Sequence, residues 1–116
     1  MRIGELAREC GVSARSIRHY DAHGLLSAQR LSNGYRDFPT SAIESVTQIR
    51  MLIAAGFTVE TIAEVLPCMN GTQVDMCPEV AGLIRKTLSD IDTEMNELER
   101  KRRLVDELLA GQRVAR

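Results

Sequence analysis

The chain has 116 residues, a formal net charge of −1, 44% hydrophobic and only 3% aromatic side chains. That length admits one compact domain, or a smaller domain plus an extended element. No apolar run approaches the roughly 20 residues of a membrane span, and no charged-then-apolar signal segment opens the chain. Three cysteines, Cys10, Cys68 and Cys77, are too few and too unevenly placed for a secreted disulfide framework. A cytoplasmic protein with free thiols is therefore expected.

The near-neutral total hides an internal division. Through Ala55 there are seven arginines against five acids, and from Gly56 onward eight basic residues against eleven acids. All four aromatics, Tyr20, Tyr35, Phe38 and Phe57, lie in the first half. The pattern predicts a globular, locally basic N-terminal half and an aliphatic, helical C-terminal half.

Ile3 to Tyr20 reads as helix, turn, helix. Leu6, Ala7 and Cys10 share one side of a first helix, and Gly11 supplies the positive φ of a helix C-cap. Val12 is the expected buried plug of the turn. Ser13 is the expected N-cap of a second helix beginning at Ala14. At about 100° per residue, Arg15, Arg18, His19 and Ala22 fall in one arc of that helix, while Ile17 and Tyr20 point the other way. A second helix with an exposed basic face is the arrangement that enters the DNA major groove, although short helical hairpins with two arginines also occur in proteins that bind no nucleic acid.

Gly24 closes the unit before Leu25 and Leu26. Asn33-Gly34, within Arg30 to Arg36, signals a two-residue hairpin turn, so a small wing over about residues 27–39 is expected. With Asn33 and Gly34 as the loop, Arg30 lies across from Asp37 and Leu31 across from Arg36. Arg30 is then partly neutralised, and Arg36 is the better phosphate contact. After Pro39, Ser41 and Glu44 offer a capping box for a third helix whose buried stripe is Ala42, Val46, Ile49 and Ile53. Gly56 ends it, Thr58 caps a short fourth helix carrying Ile62, Val65 and Leu66, and Pro67 stops that one.

Ile3-Gly4-Glu5-Leu6-Ala7, Gly11-Val12-Ser13, Ile17-Arg18-His19-Tyr20, Gly24-Leu25-Leu26, Asn33-Gly34-Tyr35-Arg36 and Gly56-Phe57-Thr58 with Ile62 together resemble the DNA-binding half of the MerR family of bacterial transcription regulators. The resemblance runs in order over about the first 66 residues. It implies a mainly α fold, a winged helix-turn-helix whose second helix enters the major groove of double-stranded promoter DNA. Arg18, Tyr20, Tyr35, Arg36 and Arg50 are implied as backbone contacts, with Arg30, Asn33 and Gly34 also in the wing. Ser13, Arg15 and Ser16 are implied as base readers. Two positions depart from the family pattern: His19 stands where a second tyrosine is common, and Asp21 where glutamate is common. His19 reads equally as a phosphate donor and as a plain surface histidine.

Pro67 to Pro78 is a connecting loop in which Pro67-Cys68-Met69 is mirrored by Met76-Cys77-Pro78, turned at Asn70-Gly71. Cys77 sits where the N-cap of the next helix is expected, a position that favours thiolate, and is the most reactive thiol candidate. Cys68 and Cys77 read either as small residues pinning the loop or as sensor thiols forming a reversible disulfide. Soft ligation of copper(I) or mercury is a further reading. Cys10 reads as core.

From Glu79 to about Ala110 the apolar period is seven. Ile84, Ile91, Leu98 and Val105 form one line, and Leu88, Met95, Arg102 and Leu109 the other, an a/d seam interrupted once. Such a helix cannot bury its seam on a domain of 66 residues, so a homodimer is expected. The acidic run Asp90, Asp92, Glu94, Glu97 and Glu99 precedes the basic cluster Arg100 to Arg103, which favours an antiparallel coiled coil. The cluster itself reads as a solvated face or as a second nucleic-acid contact. Gly111 to Arg116 is a tail, so a short member without a C-terminal effector domain is expected.

The expected function is that of a homodimeric, sequence-specific regulator working with RNA polymerase at a pseudo-palindromic promoter, its effector unknown. From the family comes the further implication that the promoter is bent and untwisted. An architectural DNA-bending factor and a coiled-coil adaptor for other proteins are the alternatives. No phosphate loop, metal spacing or carboxylate–nucleophile arrangement is present, so no enzymatic activity, cofactor or resident metal is expected.

Overall fold

The computed structural model describes residues 1–111. The chain divides into two units between Val80 and Ala81, and each is described by itself. In the first, α1 (Ile3–Cys10) and α2 (Ala14–Ala22) are followed by a hairpin, β1 (Gln29–Arg30) with β2 (Arg36–Asp37). Then come α3 (Ala42–Ala54), α4 (Val59–Val65) and a single 3₁₀ turn, Leu66–Cys68. A second hairpin, β3 (Met69–Asn70) with β4 (Gln73–Val74), precedes α5 (Pro78–Ala110).

The turn between α1 and α2 forms for the reasons its residues dictate. Gly11 takes φ 66°, and its N–H returns to the Ala7 and Arg8 carbonyls, ending α1. Ser13 stays extended at φ −74°, ψ 151°, and its Oγ accepts from Ser16 N–H at 3.1 Å, starting α2. Thr58 caps α4 in the same way through Thr61 N–H. Leu6, Ile17, Phe38, Val46, Ile49, Ile62 and Val65 are fully buried and form the core, which Leu25, Leu26, Tyr20 and Val80 extend.

Several local expectations are corrected. Ser41 caps nothing: its backbone is already helical and its side chain makes no capping bond, so the capping box with Glu44 does not form. The buried stripe of α3 ends at Leu52, with Ile53 43% exposed, because 100° per residue carries Ile53 past the edge of the covered arc. Val12 is half-buried rather than a sealed plug, and Cys10 is half-buried rather than core. The connecting segment is a hairpin with Gly71 at φ 61° opening its two-residue loop. Gln48 on α3 donates to Gly71 O at 3.0 Å, tying that loop to the helix.

The wing differs from expectation in register. Gln29 faces Asp37 and Arg30 faces Arg36, one residue off from the Asn33-Gly34 loop. Gly34 N–H donates to Leu31 O at 2.9 Å, and Leu31 N–H to Tyr35 O at 2.7 Å. Gly34 is left-handed at φ 85°, but Asn33 is not. A two-residue type I′ turn needs positive φ at both positions; a three-residue loop needs it at the last alone, and that is what forms. Asn33 contributes instead through its Oδ1, which accepts from Tyr35 N–H.

This register sets two arginines opposite each other, a destabilising pairing unless one is drawn away. Arg36 is drawn away. Its Nη2 donates to Asp21 Oδ1 on α2 at 2.7 Å, and its Nε lies 2.7 Å from Oδ2. Asp37 meanwhile takes the Met1 amino group at 3.0 Å, and Met1 and Phe38 exchange both backbone hydrogen bonds beside the wing.

The second unit is the remainder of α5. The helix has 33 residues, about 50 Å at 1.5 Å per residue. Ile84 and Ile91 are half-buried, and Leu88, Met95, Leu98, Val105 and Leu109 are between 56% and 64% exposed. Arg102 is exposed on the same line. Leu104 and Leu108 are exposed too, outside the a/d seam. Lys86–Asp90 and Glu97–Arg100 form exposed pairs along the helix, and the Arg100 hydrogen bond holds the Glu97 carboxyl below its ordinary value. No described helix is long and apolar enough to cross a membrane. Of the tail expected at 111–116, residues 112 onward lie outside the described residues.

Asp21→Asn is expected to cost about 1–2 kcal/mol in equilibrium denaturation, the scale of a hydrogen-bonded charge partly open to solvent. It should also speed hydrogen exchange at the Leu31 and Gly34 amides. Unchanged exchange at the wing would show that Arg36 does not hold it to α2.

Candidate nucleic-acid interface

The exposed face of α2 carries Arg15, Arg18, His19 and Ala22, while Ile17 and Tyr20 are buried beneath it. Neither Arg15 nor Arg18 has an ion-pair partner among the described residues. Of the seven arginines before Ala55, Arg36 alone is paired. The others are exposed and keep their charge available to an outside anion.

The remaining residues singled out by sequence divide according to what they touch. Ser13 and Ser16 hydroxyls lie 3.0 Å apart and bond to one another, so both oxygens are partly occupied by the helix cap. His19 stacks at a tilt on His23, ring centroids 4.3 Å apart, and its carbonyl oxygen lies 2.9 Å from His23 Nδ1. Tyr20 is 7% exposed, a core residue with little surface to offer a phosphate. On the wing, Arg30 is exposed and donates to Gly34 O at 3.2 Å, and Tyr35 is 57% exposed. Asn33 and Gly34 form the exposed loop.

The pairing expected of the two wing arginines is thereby corrected. Asp37 does not neutralise Arg30, and Arg36 has its charge turned inward to Asp21. Arg50, exposed near the end of α3, is close enough to Cys10 to pull that thiol's pKa down, against the larger upward push of partial burial and of Glu9.

Cys68 and Cys77 are half-buried free thiols. The second hairpin closes the backbone between them: Met69 pairs with Val74, and Asp75 N–H donates to Cys68 O at 2.8 Å. Cys77 immediately precedes Pro78, the first residue of α5. Among the described residues, no three His, Cys, Asp or Glu side chains are grouped to hold a metal ion.

One residue was missed by sequence reasoning. The Arg2 guanidinium lies over the Tyr35 ring, 4.5 Å from its centroid. The two are 33 positions apart, and no local pattern announces the contact.

The model of the MerR HTH family regulatory proteins matches residues 1–67. Over 109 residues the chain is 28% identical to the HTH-type transcriptional regulator HmrR of Rhizobium leguminosarum bv. viciae, covering 94% of this chain and 84% of that protein. Among solved structures, the transcription regulator PbrR691 of Ralstonia metallidurans CH34, crystallised with lead(II), superposes with a TM-score of 0.80 at 26% identity. That match covers all of this chain and 90% of PbrR691. HiNmlR, a MerR family regulator lacking the sensor domain and bound to promoter DNA, shares the fold with a TM-score of 0.57 at 24% identity, over 94% of this chain and 86% of its own. These proteins are regulators, not enzymes. The chain belongs to the MerR HTH family of DNA-binding transcription regulators.

Proposed function

We propose that the chain works as a homodimer on a pseudo-palindromic promoter, with α2 in the major groove and the wing on the flanking backbone. The observation that carries this reading is the set of unpaired arginines, Arg15 and Arg18, on the exposed face of an N-capped helix to which the wing is tied. Residues 1–66 form the DNA-binding domain, 67–78 the connector and 79–110 the dimerisation helix. Arg15 reads bases; Ser13 and Ser16 assist from the cap. Arg18, Arg30, Arg50 and the loop of Asn33, Gly34 and Tyr35 meet phosphates, with His19 beside them. Arg36 serves chiefly by holding the wing, and Tyr20 by supporting α2 from below.

Dimerisation is supported by the exposed seam. Seven apolar side chains, Ile84, Leu88, Ile91, Met95, Leu98, Val105 and Leu109, contribute roughly 1.5 to 3 kcal/mol each on full burial, against roughly 4 to 15 kcal/mol for association. Both chains contribute, so association wins. An antiparallel pair sets the acidic run of one chain near Arg100 to Arg103 of the other and directs the two DNA-binding units to half-sites roughly 34–36 Å apart. Promoter distortion that lets RNA polymerase engage follows as the mode of action, in the cytoplasm at the nucleoid.

A thiol input is a second reading, favoured by the hairpin that closes the backbone between Cys68 and Cys77. The binding affinity for the chain's own upstream promoter, with and without dithiothreitol, tests it. Reduction is expected to change affinity or promoter bending in the wild type and to change neither in Cys77→Ser. Indifference of both proteins removes the redox reading.

Arg18→Ala should weaken binding to all sequences and lower the salt slope by about 0.9, as loss of one phosphate contact does, whereas Arg15→Ala should relax specificity by about 1–3 kcal/mol at one base pair. An unchanged slope in Arg18→Ala counts against the docking. Leu98→Glu is expected to yield monomers in sedimentation equilibrium with operator affinity reduced at least tenfold. A dimer surviving Leu98→Glu would move the interface off the seam.

A further inference from the structure

With Arg36 turned to Asp21, the groove between the start of α1, the wing and α2 keeps three open cations, Arg2, Arg8 and Arg18. Arg2 is exposed, yet its guanidinium is not free to wander. It lies 4.5 Å from the centroid of the Tyr35 ring, and Tyr35 itself is fixed at the base of the wing loop by accepting from Leu31 N–H and donating to Asn33 Oδ1. Two of the three acids that share the groove are taken, Asp21 by Arg36 and Asp37 by the Met1 amino group; the third, Glu5, makes no ion pair with Arg2 or any described residue.

We infer that Arg2 is a further phosphate-binding residue, oriented by Tyr35 and supplying at the wing the positive charge that Arg36 does not. Its ligand is a DNA backbone phosphate. A guanidinium stacked on an aromatic face keeps its planar edge of N–H donors pointing outward, matched to two phosphate oxygens, while the stack removes most of the rotamer freedom that an exposed arginine would lose on binding. A backbone following the exposed face of α2 and this groove meets both Arg18 and the Arg2–Tyr35 pair, because both line it. This rests on α2 and the wing forming the DNA interface.

The test is a salt titration of binding to promoter duplex, read by fluorescence anisotropy, for the full chain and its variants. Arg2→Gln is preferred to Arg2→Ala, since a small second residue invites removal of the initiator methionine whose amino group pairs with Asp37. Arg2→Gln is expected to lower the salt slope by about 0.9 and affinity by roughly five- to tenfold at moderate salt. Arg2→Lys keeps the slope and loses less affinity. Tyr35→Leu weakens binding alone and adds less than its full effect to Arg2→Gln, because part of what the ring does is exerted through the guanidinium.

If Arg2→Gln leaves the slope at the wild-type value while Arg18→Ala lowers it, the interface stands and the role of Arg2 is overturned. If neither lowers it, the interface reading fails with it. A thermal melt of Arg2→Gln separates the two ways of losing affinity: an unfolded wing with an unchanged slope overturns the proposal, and a native melt with a lowered slope supports it.

Discussion

The ion pair between Asp21 and Arg36 is the constraint on which the shape of the proposed DNA-binding surface depends. Two strands of two residues each cannot stand alone in water, and this wing has one more burden, an arginine facing an arginine across the ladder. Asp21 relieves both. It lies on the same helix as Arg15 and Arg18, so drawing Arg36 down onto it couples the wing to the surface those residues present. Aspartate, one methylene shorter than the glutamate common here in the family, still reaches the guanidinium at 2.7 Å. The exchange of hydrogen bonds between Met1 and Phe38 pins the other side of the hairpin, and Phe38 roots it in the core.

The helix-turn-helix was legible in the sequence because each of its signals has one structural solution. Gly11 needed positive φ and took it; Ser13 had free N–H groups ahead of it and capped them. The wing existed as expected but its register did not, because Asn-Gly satisfies two different loops, and the choice between them turns on whether Asn33 itself goes left-handed. The Asp21 partner of Arg36 was not legible for a related reason. Whether an arginine is an open charge depends on a carboxylate 15 residues away, which only the folded chain brings near. The buried stripe of α3 slipped by one residue, from Ile53 to Leu52, where two apolar neighbours stood side by side and periodicity alone could not choose.

The long helix has the opposite character: its pattern was plain, and its meaning lies outside a single chain. Its apolar seam is more than half exposed over most of its length. Arg102 interrupts that seam at a position where a polar residue reduces stability but restricts register and partner orientation. Leu104 and Leu108 add apolar surface beside the seam near the end of the helix. The proposed dimer would cover this apolar face, and in it the acidic run followed by the basic cluster would give the pairing a direction.

The distribution of charge also bears on how sequence would be read. The chain is slightly acidic overall, so its attraction to DNA must come from local, unpaired arginines rather than from a general field. On the proposed interface, base reading concentrates on Arg15, since the Ser13 and Ser16 hydroxyls are bonded to each other. One bidentate contact is worth about 1–3 kcal/mol of discrimination, so two half-sites supply about 2–6 kcal/mol. Specific binding usually exceeds non-specific binding by about 4–10 kcal/mol. Where that requirement exceeds the direct supply, the proposed mode of action draws the remainder from the sequence-dependent cost of bending and untwisting the duplex between the half-sites. On the proposed interface, few base contacts and a wing tied to α2 suit that form of readout, in which promoters are selected by how readily they deform.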